Sequence, residues 1–227
     1  MKIYEEKLPD GYVLKQTVDF KTKKTMIILN IVATIIMLAV IIPATIILFP
    51  KLEVVERIPI WAFIVFVLGA VVYILIHEGT HALAGMILTH KKPRFGIGFS
   101  FAYCYFEGLY LYKWSALIIV VAPLLVFGVA FLVTAIVCTN VVVQLMFVWF
   151  FAMHLGGCTG DIYDASIILF KRNSADMLML DDGVTQKFYE KEDIKTEQQV
   201  KIEEIKDEIE VETQKGAEIT IEKRETN

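Results

Sequence analysis

Cysteine is scarce in this sequence, and its few cysteines are not spaced to form disulfides or to bind a metal. Only three occur in 227 residues, Cys104, Cys138 and Cys158, and no two of them form a CxxC pair. An odd and widely spaced set argues against a disulfide-stabilised secreted domain and against a thiolate zinc site. We therefore expect three unpaired thiols in apolar surroundings.

Charge is also scarce between residues 25 and 170, which excludes an ordinary soluble enzyme. The chain is 56% apolar, against about 45–50% for a typical soluble domain. Residues 171–227 carry 10 Lys/Arg and 16 Asp/Glu, a net charge of −6, so the total of −4 leaves +2 for residues 1–170. Neither region has the basic surface of a nucleic-acid-binding protein, so no nucleic-acid partner is expected.

Long apolar runs predict four transmembrane helices, because about 20 apolar residues are enough to cross a bilayer. The four runs cover residues 25–49, 58–88, 116–138 and 141–170. The lysine-rich start of the chain, the basic segment 90–94 and the pair Lys171–Arg172 lie on one side only if both termini are cytoplasmic. We expect an all-α, multi-pass protein of the cell membrane, in contact with the lipid bilayer.

These observations divide the chain into four regions. Residues 1–24 form a cytoplasmic N-terminal segment, residues 25–170 a four-helix transmembrane domain, and residues 171–194 a cytoplasmic extension. The charged tail, residues 195–227, has a composition typical of disorder. A short helix with three isoleucines on one side is the alternative for the tail, and its acidic charge would suit a cytoplasmic protein partner.

An aromatic segment connects the second and third runs. Residues 92–114 are rich in Phe and Tyr and are interrupted by Gly96, Gly98 and Gly108. High strand propensity without a helical stripe predicts a small strand-like or re-entrant segment. An aromatic belt that only anchors the helix ends is the alternative. A strand here could also pair with an extended peptide substrate.

The second apolar run contains an HExxH motif, His77-Glu78-Gly79-Thr80-His81. Residues i and i+4 of a helix lie on one face, so both imidazoles can reach one metal ion. Glu78 is placed to act as general base toward a water activated by zinc. Ionisable residues inside an apolar span are costly and point to function, although a polar cluster that only joins helices is the structural alternative.

A catalytic zinc site takes a third protein ligand. The candidates are His154, Asp161, Asp164, Glu107 and His90. His81 and Asp161 each lie about nine residues from the same end of their runs, and so at the same depth of about 13 Å. Asp161 is therefore the predicted third ligand, with glycines beside it that allow close approach.

Two neighbours of Asp161 are predicted to support the site. Asp164 lies one turn away on nearly the same face and is a candidate ligand or a hydrogen-bond partner of a ligand. His154 lies two turns the other way on that face. It is either a hydrogen-bonding and proton-handling residue or a buried histidine whose ring is satisfied by a backbone carbonyl.

These features resemble a bacterial family of membrane zincin peptidases that is similar to the site-2 protease group of intramembrane metalloproteases. The resemblance covers roughly residues 70–190. It is carried by HEGTH inside a span, the aromatic segment after it, Pro123 early in the third run and GGCTGDIYDA in the last. It implies peptidase chemistry on a peptide or membrane-protein substrate, with zinc as cofactor.

We therefore expect a membrane-embedded zinc metallopeptidase, with His77, His81 and Asp161 as metal ligands and Glu78 as catalytic base. The alternative is a catalytically silent membrane protein that binds metal and recruits a partner through its acidic tail. A metal-ion or proton transporter is disfavoured, because no ionisable residues mark the outer half of any apolar run.

Overall fold

A computed structural model describes residues 2–52, 60–98, 102–172, 174–192, 201 and 205. The chain divides into one unit, Met1–Glu190, and a second, Lys191–Asn227. The predicted tail lies almost wholly outside the described residues, apart from Lys201 and Ile205, which are helical. Its predicted disorder and its role in partner binding stay predictions.

Five α-helices make up most of the first unit. They are α1 (Lys23–Leu52), α2 (Ile60–Thr89), α3 (Lys113–Val137), α4 (Val141–Gly157) and α5 (Thr159–Ser166), which continues into a π-helical turn over Ile167–Lys171. Within the described residues, three helices are long and apolar enough to cross a membrane, in α1, α2 and α3. A fourth span results if α4 and the helix after it, bent by 45°, are counted as one.

The outer surfaces of these helices are apolar. Ile46 is 68% exposed, Leu75 63% and Ile136 69%, on three different helices. Large apolar side chains exposed along whole helices would be unfavourable in water and are expected where lipid covers the surface. The helices therefore agree with a membrane protein of three or four spans.

Seven short strands accompany the helices in the part of the chain that the structure describes. They are β1 (Tyr4–Glu5), β2 (Tyr12–Asp19), β3 (Arg94–Ile97), β4 (Ala102–Tyr105), β5 (Tyr110–Tyr112), β6 (Leu178–Asp181) and β7 (Thr185–Lys191). Five of them form one sheet in the order β1-β5-β6-β7-β2, and β3 pairs with β4 in an antiparallel hairpin. The described strands of the aromatic segment thus agree with its strand-like prediction, while a re-entrant path is not confirmed.

The prediction of an all-α fold was wrong in this respect, because the fold is mostly helical with a small sheet. The N-terminal segment, the end of the aromatic segment and the extension after the last helix each supply strands to it. Tyr4 pairs with Leu111, which in turn pairs with Met179. Pairing across such distances in sequence leaves no local signal beyond short alternating patterns.

The sheet lies at one end of the helices. Strand β2 precedes the start of α1, β3 follows the end of α2, β5 leads directly into α3, and β6 follows the π-helical turn. Its apolar face packs against α3 and that turn through Leu111, Ile119, Ile168, Met179 and Phe188. This core fixes the position of the sheet over the helix ends.

Candidate metal centre

Helix α2 carries both motif histidines on one buried face. His77 and His81 are one turn apart, and their ring centroids lie 5.0 Å from each other. Their side chains are 10% and 11% exposed. Because the spacing is four residues, both Nε2 atoms point to the same side of the helix, away from its exposed apolar side chains.

Asp161 faces these two rings from the start of α5. Helix α4 ends at Gly157, the chain bends, and Asp161 lies in the first turn of the next helix. Its Oδ2 lies 3.3 Å from His77 Nε2, and its Oδ1 lies 3.4 Å from His81 Nε2. The three predicted ligands are therefore brought together, with their ligand atoms all within 4.8 Å of one another.

A backbone carbonyl freed by proline orients His81. His81 Nδ1 lies 2.8 Å from the carbonyl oxygen of Ile119. In an α-helix that carbonyl would accept from residue 123, but Pro123 has no N–H to donate. A carbonyl only accepts, so Nδ1 carries a proton, and a neutral His81 ring then presents an unprotonated Nε2 to Asp161.

A hydrogen-bonded chain orients His77 in the same way. His154 Nε2 lies 3.3 Å from the Leu124 carbonyl oxygen and donates to it, so Nδ1 of the neutral ring is an acceptor. Tyr73 Oη lies 2.6 Å from that Nδ1 and 3.0 Å from His77 Nδ1. Tyr73 therefore donates to His154 and accepts from His77, which leaves His77 Nε2 unprotonated toward Asp161.

The donor set fits a divalent cation. With these tautomers, the two unprotonated imidazole nitrogens face the Asp161 carboxylate. Nitrogen lone pairs therefore point at oxygen lone pairs, with no proton between them. Asp161 Oδ2 is buried without a hydrogen-bond partner, and a buried unpaired carboxylate oxygen is costly. A cation between the three groups removes this conflict, and two imidazoles with one carboxylate suit zinc.

These groups line a cavity of about 290 Å³. Glu78 also lines it, next to His77 in sequence and partly exposed. Asp164 lines it too; the residue is 5% exposed, and its Oδ1 has no hydrogen-bond partner. The arrangement leaves open space beside the metal ligands, as a catalytic site requires.

A second group of potential ligands lies beside the first. Ligand atoms of His77, His154 and Cys158 also lie within 4.8 Å of one another. Both ring nitrogens of His154 are already in hydrogen-bond contacts, and neither His154 nor Cys158 lines the cavity. This group therefore suits a buried hydrogen-bonded network better than an open metal site.

The two other candidates for the third ligand lie elsewhere. Glu107 is paired with Arg94 through an Oε2–Nη2 distance of 2.5 Å, with both side chains about 60% exposed. His90 is exposed at the end of α2 in a left-handed backbone conformation, φ 55°. Neither lines the cavity.

Sequence reasoning missed the role of Tyr73 and the reason for Pro123. A hydroxyl four residues before His77 in an otherwise apolar run was the available signal for Tyr73, because this spacing puts it on the histidine face. Pro123 carries part of the family resemblance, but its effect on the site depends on which backbone carbonyl it frees. That carbonyl's partner comes from another helix and leaves no mark in the local sequence.

The sheet contributes one more acidic group to the cavity. Asp181 ends β6 and lines the cavity together with Gly183 and Gln186 of the following turn and strand. Burial raises the pKa of the Asp181 carboxyl to about 7, although the backbone N–H of Gly183 donates to Oδ1 at 2.7 Å and opposes the rise. The sheet end of the cavity is thus polar and acidic.

One family model matches the central part of the chain. No curated protein and no solved structure matches it. Residues 70–175 match the model of a family described as "putative zincin peptidase". This segment includes His77, Glu78, His81 and Asp161, and the match supports its place in a zincin-like peptidase family.

Proposed function

We propose that the protein is a membrane-embedded zinc metallopeptidase, with His77, His81 and Asp161 as metal ligands. The observation that carries the proposal is the meeting of two correctly oriented histidine Nε2 atoms with a buried carboxylate, in a cavity that also contains Glu78. The family match supports peptidase chemistry. The four-span topology with both termini cytoplasmic, and the likeness to site-2 proteases, are part of the proposal.

Glu78 is the general base in this scheme. Zinc supplies Lewis acidity, which makes a neighbouring water more acidic and polarises a carbonyl group. Glu78 takes the proton from the attacking water and passes it to the leaving amine nitrogen when the peptide bond breaks. Its position next to His77, but outside the set of ligand atoms, suits a group that handles protons rather than one that binds the metal.

The sheet end of the cavity provides a route for water and peptide. Tyr103 and Cys104 of β4 and Gly183 of the β6–β7 turn line the cavity, so it extends from the helices to the sheet. Within the described residues β4 pairs only with β3. A peptide that lies along β4 as an added strand would be extended, and its bonds would be accessible to attack. The substrate is a peptide or a membrane protein with an extended segment.

The test combines peptide cleavage with metal analysis in purified protein. We expect Glu78→Gln to keep its zinc and to lose activity by about 10²- to 10⁴-fold. Asp161→Ala should lose zinc, whereas Glu107→Gln, a matched change at an exposed glutamate, should lose neither zinc nor activity. Full cleavage by zinc-loaded Glu78→Gln would refute the base, and loss of zinc in Asp164→Ala but not Asp161→Ala would change the third ligand.

A further inference from the structure

The cavity holds more carboxyl groups than a zinc site needs. Four carboxylates line it, those of Glu78, Asp161, Asp164 and Asp181. No lysine or arginine is among the described residues that line it. The proposed ligand set uses only Asp161, and Glu78 is the proposed base. Asp164 and Asp181 are therefore left without a positive partner inside the cavity.

Two buried oxygen atoms in this part of the cavity have no hydrogen-bond partner. Asp164 is 5% exposed, and its Oδ1 is unpartnered. Gln186, on β7, is 7% exposed, and its Oε1 is also unpartnered. Buried acceptors without donors are rare and costly in folded proteins. A carboxyl oxygen from a helix and an amide oxygen from the sheet, both belonging to residues that line this cavity, thus lack a donor.

The missing donor is not a second metal ion of the same kind. Among the described residues, the only sets of three or more His, Cys, Asp or Glu ligand atoms within 4.8 Å of one another are those around His77. Asp164 and Asp181 belong to neither set. The acceptor oxygens of Asp164, Asp181 and Gln186 come from different parts of the cavity lining. Separate acceptors of this kind suit a group with several N–H donors, such as an ammonium or a guanidinium.

We propose that Asp164, Asp181 and Gln186 form a subsite for a cationic group of the peptide substrate, in the first place a lysine or arginine side chain. The inference rests on the proposed peptidase function and names a class of substrate for it. Asp164 lies three residues after Asp161, about 4.5 Å further along the helix axis. The subsite therefore receives a side chain close to the scissile bond.

Binding is measured without turnover, in zinc-loaded Glu78→Gln protein in detergent micelles. The probes are fluorescent peptides that differ at one position. An N-acetylated peptide with lysine is compared with the same peptide carrying norleucine, which keeps the aliphatic chain and removes the ammonium. A third peptide has norleucine and a free N-terminal amine, and it distinguishes a side-chain cation from a terminal one. Fluorescence polarisation gives the three dissociation constants.

We expect the lysine peptide to bind at least tenfold more tightly than the norleucine peptide, as charge-assisted hydrogen bonds to buried carboxylates imply. Asp164→Asn and Asp181→Asn, each added to Glu78→Gln, should reduce this ratio to threefold or less. Asp176→Asn is the matched control, because Asp176 is exposed and does not line the cavity. It should leave the ratio unchanged.

Equal binding of the lysine and norleucine peptides by Glu78→Gln protein would overturn the subsite, and this comparison needs no further folded variant. Preference for the free-amine peptide alone would overturn the side-chain assignment. Failure of the peptidase function has a different signature, in which wild-type protein does not cleave peptides that the Glu78→Gln protein binds.

Discussion

Tyr73 provides a direct test of the ligand orientation described above. Its hydroxyl joins His77 to His154 through contacts of 3.0 Å and 2.6 Å, and all three residues are buried. Tyr73→Phe keeps the ring and its packing but removes the oxygen. His154 Nδ1 keeps its contact with Cys158 Sγ at 3.4 Å, but His77 Nδ1–H has no other partner along this chain and loses the bond that fixes the tautomer and ring orientation of His77.

The expected loss is about 10- to 100-fold in zinc affinity, the usual effect of removing a hydrogen-bond partner of a ligating histidine. That range corresponds to roughly 1.4–2.8 kcal/mol, at 1.4 kcal/mol for each factor of ten. The same change leaves the buried His77 Nδ1–H unsatisfied, at about 1–3 kcal/mol, so the free energy of unfolding should also fall. Both effects have one origin, the loss of a single oxygen atom.

Competition with a chromophoric chelator measures the zinc affinity of the purified protein, and thermal unfolding in the same detergent measures stability. Tyr163→Phe is the matched control, because Tyr163 is 38% exposed and its hydroxyl is not hydrogen-bonded to Tyr73 or to either histidine. A folded Tyr73→Phe protein whose zinc affinity stays within twofold of wild type would refute the idea that this chain of hydrogen bonds orients His77.

Three further predictions concern packing, the proline and pH. Gly156→Ala should destabilise the protein by about 1–3 kcal/mol relative to Gly157→Ala in thermal unfolding. An added Cβ at position 156 would lie 2.6 Å from Met37 Cγ and 3.1 Å from the Ala33 carbonyl oxygen, whereas at position 157 it meets nothing within 4 Å. Equal unfolding temperatures would contradict this close contact of α1 and α4. Pro123→Ala restores an N–H that competes with His81 for the Ile119 carbonyl. Chelator competition should therefore show about tenfold weaker zinc binding, the lower end of the range for loss of a hydrogen-bond partner of a ligating histidine. Unchanged zinc affinity would mean that the carbonyl accepts from both donors. In zinc-free protein the Asp181 carboxyl has a folded-state pKa of about 7, above its ordinary value of 3.8. The stabilising contribution of this carboxyl is therefore complete below pH 3.8 and is lost as the pH rises to about 7. Unfolding curves should show Asp181→Asn gaining stability over wild type across this window, and a constant difference would contradict the raised pKa.

The parts of the site that follow from helical periodicity were predictable, and those that depend on distant pairing were not. His77 and His81 lie four residues apart in one apolar run, and counting residues from the helix ends was enough to place Asp161 at their depth. The sheet was not predictable in this way, because its strands come from three separate parts of the chain. Asp181 was consequently missed as a residue that lines the cavity, because β6 is positioned by pairing with β5 and β7.

The helical periodicity also explains why the polar contacts occur at two levels, that is, at two depths along the helix axes. Tyr73 and His81 are eight residues apart on α2, about 12 Å, and His154 and Asp161 are seven apart across α4 and α5, about 10.5 Å. Both spacings are close to two helical turns, so each helix presents its polar groups on one face. Tyr73 meets His154 at one level, and Asp161 meets His81 at the other.

The bend between α4 and α5 lies between these two levels, and its polar groups are satisfied locally. Thr159 Oγ1 donates to the Gly156 carbonyl oxygen at 2.6 Å, and the Cys158 N–H donates to the His154 carbonyl oxygen at 2.9 Å. Thr159 and Cys158 are buried, so the interruption exposes little polar backbone to lipid, the condition under which broken helices persist in membranes. Because the bend is held in this way, α4, which carries His154, leads directly into α5, which carries Asp161. The residue that Tyr73 contacts and the residue that supplies the carboxylate are therefore positioned by one continuous segment of chain.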